Sequence, residues 1–300
     1  QSLVMPAAEG NVRLLQKYVN LDAISKGLFI GWLTYTLAHP KVASTKYVIL
    51  VLQGNQGSGK TSLCNNVILR LLDPTSVGVQ VLPANERELA IASQNAHVLC
   101  FDNLRDFRQS MADKLCIAST GGAITSRQLY SDADQHVLHL HVALVLNGIH
   151  SFIDQPDLAQ RCLQLQLVPI AETSRKSERQ LIDELEADLP VIQRGLFDLI
   201  AKILLRLPTA DVSHPERMYD FVQWLAAMEL VDDAPPGAYQ QEYSAALRQG
   251  QLESLQENLL AAAILDFAEG LPESGWTGTP AELHAELSEL APMGMSRSRD

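Results

Sequence analysis

The residues best suited to chemistry lie at Gly54-Asn55-Gln56-Gly57-Ser58-Gly59-Lys60-Thr61. The stretch fits the phosphate-loop pattern G-x-x-x-x-G-K-[ST] at every fixed position. Three glycines let the backbone turn its N–H groups inward around a phosphate chain, and a following helix adds its positive end. Lys60 is placed to reach the β- and γ-phosphates, and the Thr61 hydroxyl is placed to ligate Mg²⁺. Ser62 continues the loop into the helix. A glycine-rich turn that binds nothing is the competing account, and the flanks speak against it. Tyr47 to Leu52 is an apolar, β-branched run that predicts a buried strand. Ser62 to Leu72 carries Leu63, Val67, Ile68, Leu71 and Leu72 at helical spacing. The loop alone does not name the nucleotide.

Asp102 is the second chemical residue. It ends the run Val98-Leu99-Cys100-Phe101, 42 residues after Lys60. A buried strand of this kind delivers its carboxylate to the carboxyl edge of a sheet, where it can hold the Mg²⁺ shell. Asn147 ends another apolar run, Val142 to Leu146. There it either hydrogen-bonds an attacking water and the γ-phosphate or simply starts the turn before Gly148. Arg161 precedes the alternating strand Cys162 to Val168. By residue type alone it is an ordinary surface ion-pair former.

The elements that position these residues follow from the periodicity. Residues 9–39 read as helical and end at His39-Pro40. Val77 to Leu82 predicts a short second strand, and Glu86 to Ser93 and Ser110 to Ser119 predict helices. Ile124 to Tyr130 and His136 to His141 predict a hairpin about Ser131 to Gln135. Pro156 to Arg161 predicts a short helix. The core is thus an α/β fold with a five-stranded parallel sheet. Beyond it the chain is helical. Glu178 to Leu205 has Pro190 inside, which predicts two helices rather than one. His214 to Met228 and Leu252 to Ala268 are further helices. Asp232 to Gly237 is a loop, and Thr279-Pro280-Ala281-Glu282 is a capping box. The expected organisation is a helical lead-in over 1–45, the core over 46–170, a helical lid or extension over 171–231 and a helical region over 232–300, where Leu252 to Leu290 resembles the first two helices of a truncated winged-helix domain.

Composition narrows the classes. Apolar content of 47% supports full cores. No apolar run approaches the roughly 20 residues of a membrane span, and the N-terminus lacks a charged-then-apolar opening. A cytoplasmic protein without membrane contact is the expectation. The chain lacks a starting Met and a clear ending, and reads as a piece of a longer protein. Four cysteines form no C-x-x-C pair, which predicts free buried thiols. The net charge of −12 is uneven. Residues 1–169 carry 13 Lys+Arg against 12 Asp+Glu, and residues 170–300 carry 10 against 23. The acidity opposes non-specific nucleic-acid binding by the C-terminal part.

Thr120-Gly121-Gly122-Ala123-Ile124-Thr125-Ser126-Arg127-Gln128-Leu129-Tyr130 brings a resemblance. The chain over about residues 46–170 resembles the ATPase domains of helicase superfamily 3 and the primase–helicase ATPases of phages and large DNA viruses. It is similar to helicases of phages and mobile elements with an "LQGxQGSGKT … FDN … ATGG … R-x-LY-x-D … LNGI … R" pattern, and more distantly to minichromosome-maintenance ATPases. The resemblance implies an AAA+ core with an inserted β-hairpin and ATP with Mg²⁺ as ligands. It implies a ring of copies, expected to be a hexamer, with single-stranded DNA in the pore. It implies Lys60 and Thr61 at phosphate and Mg²⁺, Asp102 ordering Mg²⁺, Asn147 sensing the γ-phosphate, and Arg161 as an arginine finger toward a neighbour.

One residue departs from that pattern. Most such ATPases follow the Asp with an acid that activates water, and here Asn103 orients water but takes no proton. Glu86 and Glu88 are the alternative bases, and the base stays unassigned. On the hairpin, Arg127, His136 and His139 are candidate DNA contacts, while Asp132 and Asp134 at the tip oppose DNA. His139 and His141 share a strand face, which permits a metal pair but is most simply a solvated face. The leading expectation is an ATP-driven DNA helicase or translocase. A switch or remodelling ATPase acting on protein partners is the alternative. A small-molecule kinase lacks its Arg-rich lid here, and a GTPase lacks N-K-x-D.

Overall fold

The computed structural model describes residues 2–105, 108–127, 135–149, 152–170, 177–257, 259–272 and 275–290. Among them are six strands: β1 (Ile49–Gln53), β2 (Val98–Leu104), β3 (Gly122–Arg127), β4 (Gln135–Leu140), β5 (Ala143–Gly148) and β6 (Cys162–Gln166). Four of them form one parallel sheet in the order β2-β5-β1-β6. β3 and β4 pair antiparallel as a separate two-stranded unit. Residues 128–134, which include Ser131 to Asp134 of the turn expected at Ser131 to Gln135, lie outside the described residues, as do the side chains of Arg127 and His136.

The expected five-stranded sheet is therefore a four-stranded one. The Val77–Leu82 segment forms a single parallel bridge, Gln80 to Phe101, instead of a strand. Gly78 takes φ +68°, which breaks the extended run, and Pro83 has no N–H to offer a ladder. Val77 and Val81 are 65% and 84% exposed, so no apolar gain draws the segment onto the sheet edge. The Asn65 side chain accepts from Val79 N at 2.9 Å and holds the segment beside the phosphate-loop helix.

The sheet strands are largely apolar because both sheet faces are covered. Leu50, Leu52, Val145, Leu163 and Leu165 pack on one face with the Ala23–Ala38, Glu178–Arg206 and Tyr219–Asp232 helices. Ile49, Val51, Phe101, Leu144 and Leu146 pack on the other with the Glu86–Gln94 and Gln109–Thr120 helices and with Ile124, Leu138 and Leu140 of the β3–β4 pair. The first helix is part of the core: Trp32 Nε1 donates to Val48 O at 2.8 Å, and Trp224 Nε1 donates to Thr34 Oγ1 at 3.0 Å. All four cysteines are free and buried.

Three helical expectations change. Pro190 does not divide its helix, which runs unbroken from Glu178 to Arg206. An interior proline costs about 3 kcal/mol. Burying Leu185, Leu189, Ile192 and Leu196 on one face contributes roughly 1.5–3 kcal/mol each, so packing prevails. The helix expected from His214 starts only at Tyr219. Its first turn is replaced by a segment whose Ser213 and His214 N–H groups donate to the Gln240 side chain. The helix expected from Leu252 begins earlier, at Ala238, runs to Glu257 and is followed by Leu259–Glu269. The capping box opens the Pro280–Leu290 helix as expected, with Thr279 and Glu282 bonding each other's N–H groups.

Glu229 holds the C-terminal helices together. Its carboxylate is 3% exposed and accepts from the N–H groups of Gly237, Tyr239 and Gln240 at 2.8, 2.8 and 3.1 Å. These are the free donors at the start of the Ala238–Glu257 helix, where a negative charge is also favoured by the helix dipole. Glu229→Ala strands three donors in a buried place, and we expect a loss of about 2–4 kcal/mol in urea unfolding. Glu229→Gln should recover part of that loss.

Candidate functional site

The phosphate loop leaves β1 at Gln53 and enters a helix at Lys60. Gly57 and Gly59 sit at φ +81° and +88°, angles that a side chain disfavours. The helix runs through Lys60–Ser62, Leu63–Ile68 and Leu69–Leu72, and its middle part has π geometry, a form frequent at functional sites. Lys60 is 9% exposed and folds back over the loop, donating from Nζ to Gly54 O at 2.6 Å and Asn55 O at 3.1 Å. Burial lowers its pKa from the ordinary lysine value, against the opposing charge of Asp102. The loop thus holds a partly desolvated cation against two of its own carbonyls, beside glycines at left-handed angles.

Asp102 comes to the loop through an irregularity. β2 pairs with β5 regularly up to Phe101↔Leu146 and then shifts register before Leu104↔Gly148. Asn103 takes φ +60° at that bulge, a conformation asparagine tolerates better than most residues. Its N–H donates to Asp102 Oδ1 at 2.7 Å. The other carboxylate oxygen, Oδ2, accepts from Thr61 Oγ1 at 2.6 Å. Two hard oxygen ligands from distant parts of the chain therefore meet. The donor set fits Mg²⁺, which is bound through one or two protein oxygens with water and phosphate completing the shell.

Asn147 lies on β5, between the loop strand and the Asp102 strand, directly opposite Leu52. It is fully buried, and neither Oδ1 nor Nδ2 has a partner among the described residues. Leaving a buried polar group unpaired costs about 1–3 kcal/mol.

Arg161 sits elsewhere. Its carbonyl accepts from Ile49 N at 2.9 Å, so it stands at the start of β1, the edge opposite the loop. Five residues of strand, at about 3.3 Å each, separate that edge from the loop. The Arg161 guanidinium is engaged by Asp157 Oδ2 at 3.2 and 3.4 Å. Asp157 Oδ1 receives Arg217 Nη1 at 2.7 Å, and Arg217 also donates to Gln160 Oε1 at 3.1 Å. Desolvation works against the Asp157 charge, but the Cys116 thiol and the two guanidiniums hold its carboxyl below the ordinary range.

Of the sequence-predicted residues, the structure gathers Lys60, Thr61, Asp102, Asn103 and Asn147 at one sheet edge with the loop residues Gly54 to Gly59. Arg161 lies at the other. Glu86 is engaged by Lys114 at 2.8 Å, and Glu88 opens the Glu86–Gln94 helix. His139 is exposed on β4, and His141 is engaged by Thr45 O at 3.1 Å. Asp157 and Arg217 were missed. Asp157 stands four residues before Arg161, a pair visible in the sequence. No sequence signal announces Arg217.

The fold and loop define the class: a parallel α/β protein with a phosphate-loop strand–turn–helix at its carboxyl edge. The chain belongs to the actinomycete integrative conjugative element replication proteins, whose family it matches over residues 12–249. No curated protein matches it. Among solved structures, the apo A form of the NrS-1 C-terminal region is similar over 96% of this chain, with a TM-score of 0.51 and 14% identity. This chain spans 64% of that one. An apo structure of NrS-1 residues 305–718 gives 96% and 65% coverage, a TM-score of 0.47 and 14% identity. A JCV helicase with a bound small molecule gives 76% and 67%, 0.31 and 15%. At such identities the likeness to NrS-1 concerns the fold. Among the described residues no helix is long and apolar enough to cross a membrane.

If the orphaned Asn147 amide is kept for chemistry, an apolar residue of similar shape should stabilise the fold. We expect Asn147→Leu to raise the urea midpoint, by about 1–3 kcal/mol in stability. An unchanged or lower midpoint means that the amide has a structural partner.

Proposed function

We propose that this chain is the motor part of a replication protein, an ATPase that couples ATP hydrolysis to movement along DNA. The observation that carries the reading is the 2.6 Å contact of Thr61 with Asp102, with Asn147, unpaired among the described residues, on the strand between them. Together with the glycine loop, this contact supports a triphosphate and Mg²⁺ site at that edge. The replication family supplies the process.

The roles follow from position. The loop N–H groups from Gly54 to Thr61 and the start of the helix bind the phosphates, with Ser62 at the helix opening. Lys60 leaves its carbonyl partners for the β- and γ-phosphates. Thr61 and Asp102 would hold Mg²⁺, which supplies positive charge to phosphate oxygens. Asn147 orients the attacking water or γ-phosphate, and Asn103 has the reach to order water but not to take its proton. Arg161 stands at the wrong edge to serve its own loop. It acts on a neighbour's nucleotide, which makes the working unit a ring, and we take that ring to be a hexamer. DNA, single-stranded in the pore, meets the β3–β4 pair through Arg127, His136 and His139.

The test uses the full-length protein. We expect Mg²⁺-dependent ATP hydrolysis stimulated by single-stranded DNA, and displacement of a paired strand. Lys60→Ala should abolish both. Arg161→Ala should cut hydrolysis by about 10³-fold with ATP binding nearly unchanged, the scale of an arginine finger. Hydrolysis indifferent to DNA, with no strand displacement, would replace the DNA motor by a remodelling ATPase of protein partners.

A further inference from the structure

Arg161 does not reach outward alone. Its side chain is 14% exposed, and the carboxylate that holds it is shared. Asp157 is placed by the Pro156–Ala159 turn, four residues before Arg161. Arg217 arrives from the segment leading into the Tyr219–Asp232 helix, well outside the sheet. Met218 beside it is 2% exposed, so this segment is anchored in the core. One carboxylate thus faces two guanidiniums, one on each oxygen. The cluster carries one positive charge more than its acid can neutralise.

That excess has a direction. The Arg217 contact is the shorter, at 2.7 Å, and Gln160 backs it at 3.1 Å. The Arg161 contacts are longer, at 3.2 and 3.4 Å. If Arg161 leaves, Asp157 keeps a close ion pair and no charge is stranded. If Arg217 is removed, Asp157, 53% exposed, has only Arg161 and water, and withdrawing Arg161 leaves its charge to solvent alone. Arg217 therefore lowers the cost of moving Arg161 from Asp157 to a phosphate.

We infer that Arg217 is a positioning residue for the Arg161 finger: it holds Asp157, so that Arg161 exchanges this carboxylate for the nucleotide of a neighbouring subunit. The inference rests on the trans role proposed for Arg161. It ties the helical part that carries Arg217 to hydrolysis one subunit away. Asp157 is the fixed post, Arg161 the moving cation and Arg217 the charge that stays behind.

Subunit mixing of the full-length protein tests it. Arg217→Ala alone should lower kcat for ATP roughly tenfold, the scale of a contact in a coupled network rather than of the finger itself, with KM changed less than about twofold. Arg217→Lys should restore part of the loss, and it serves as the readout if the alanine variant does not fold. Lys60→Ala subunits keep Arg161 and Arg217 but cannot use their own nucleotide. Mixed with Arg217→Ala subunits, they should recover hydrolysis, because each good loop then meets a good Arg161. Mixed with Arg161→Ala subunits, they should also recover. Mixing Arg161→Ala with Arg217→Ala should recover far less than either, since the two variants are damaged in the same trans element. Recovery with Arg161→Ala but none with Arg217→Ala would assign Arg217 to its own subunit and overturn the inference while leaving the finger in place. No recovery with Arg161→Ala would remove the trans reading itself. An Arg217→Ala kcat equal to wild type would also overturn the inference.

Discussion

β5 is hydrogen-bonded on both edges, to β1 and to β2, and everything at the candidate site depends on that double pairing. The strand is buried on both faces, so its register answers to two apolar layers at once. A slip of one residue would carry Leu144 and Leu146 to the face that now takes Val145. The same slip would move Asn147 out of line with Leu52, two residues before the loop starts at Gly54. Packing of aliphatic side chains thus sets the position of a polar one. The bulge in β2 then finishes the arrangement. It releases Asp102 from the ladder where the carboxylate can meet Thr61, and it uses an asparagine whose backbone accepts a left-handed angle.

The polar groups of the site differ in how they are satisfied. Lys60 and Thr61 have internal partners that phosphate or a metal ion can replace, because those partners are carbonyls and a carboxylate of the site itself. Asn147 has none among the described residues. At the far edge, Arg161 is likewise held by an acid of the same chain. The cations are therefore stored against oxygen atoms within the chain. That arrangement limits the electrostatic cost of holding them in partly desolvated places, which for an unpaired charge would be several kcal/mol.

Much of this was legible in the residues. The loop, the buried strands around it and the carboxylate at Asp102 could be read because a glycine pattern and continuous apolar runs are local signals. The capping box at Thr279 to Glu282 is local in the same way. The misreadings share a cause, which is competition from tertiary packing. Val77 to Leu82 has strand residues, but nothing covers Val81, and Gly78 turns the backbone away. Pro190 has a helix-breaking ring, but the leucines about it are buried deeply enough to override it. The acid–arginine cluster was half visible. Asp157 lies at helical spacing from Arg161, while Arg217 is far off in sequence and reaches Asp157 only because the helical part folds back over the sheet. No periodicity encodes such a meeting.

The first helix has a further consequence, in the time domain. Its Thr34 hydroxyl is bonded by Trp224, which lies 190 residues later, and its Tyr35 ring packs edge-on against Phe221 and Trp224. Chains are made at about 5–20 residues per second, so a nascent Ala23–Ala38 helix waits roughly 10–40 s for the partners that cover it. Over that interval Phe29, Trp32 and Leu33, all fully buried in the finished protein, have no complete core to enter. Contacts so distant in sequence also slow folding after release. The segment that looks least involved in chemistry thus keeps part of its apolar surface uncovered for much of synthesis.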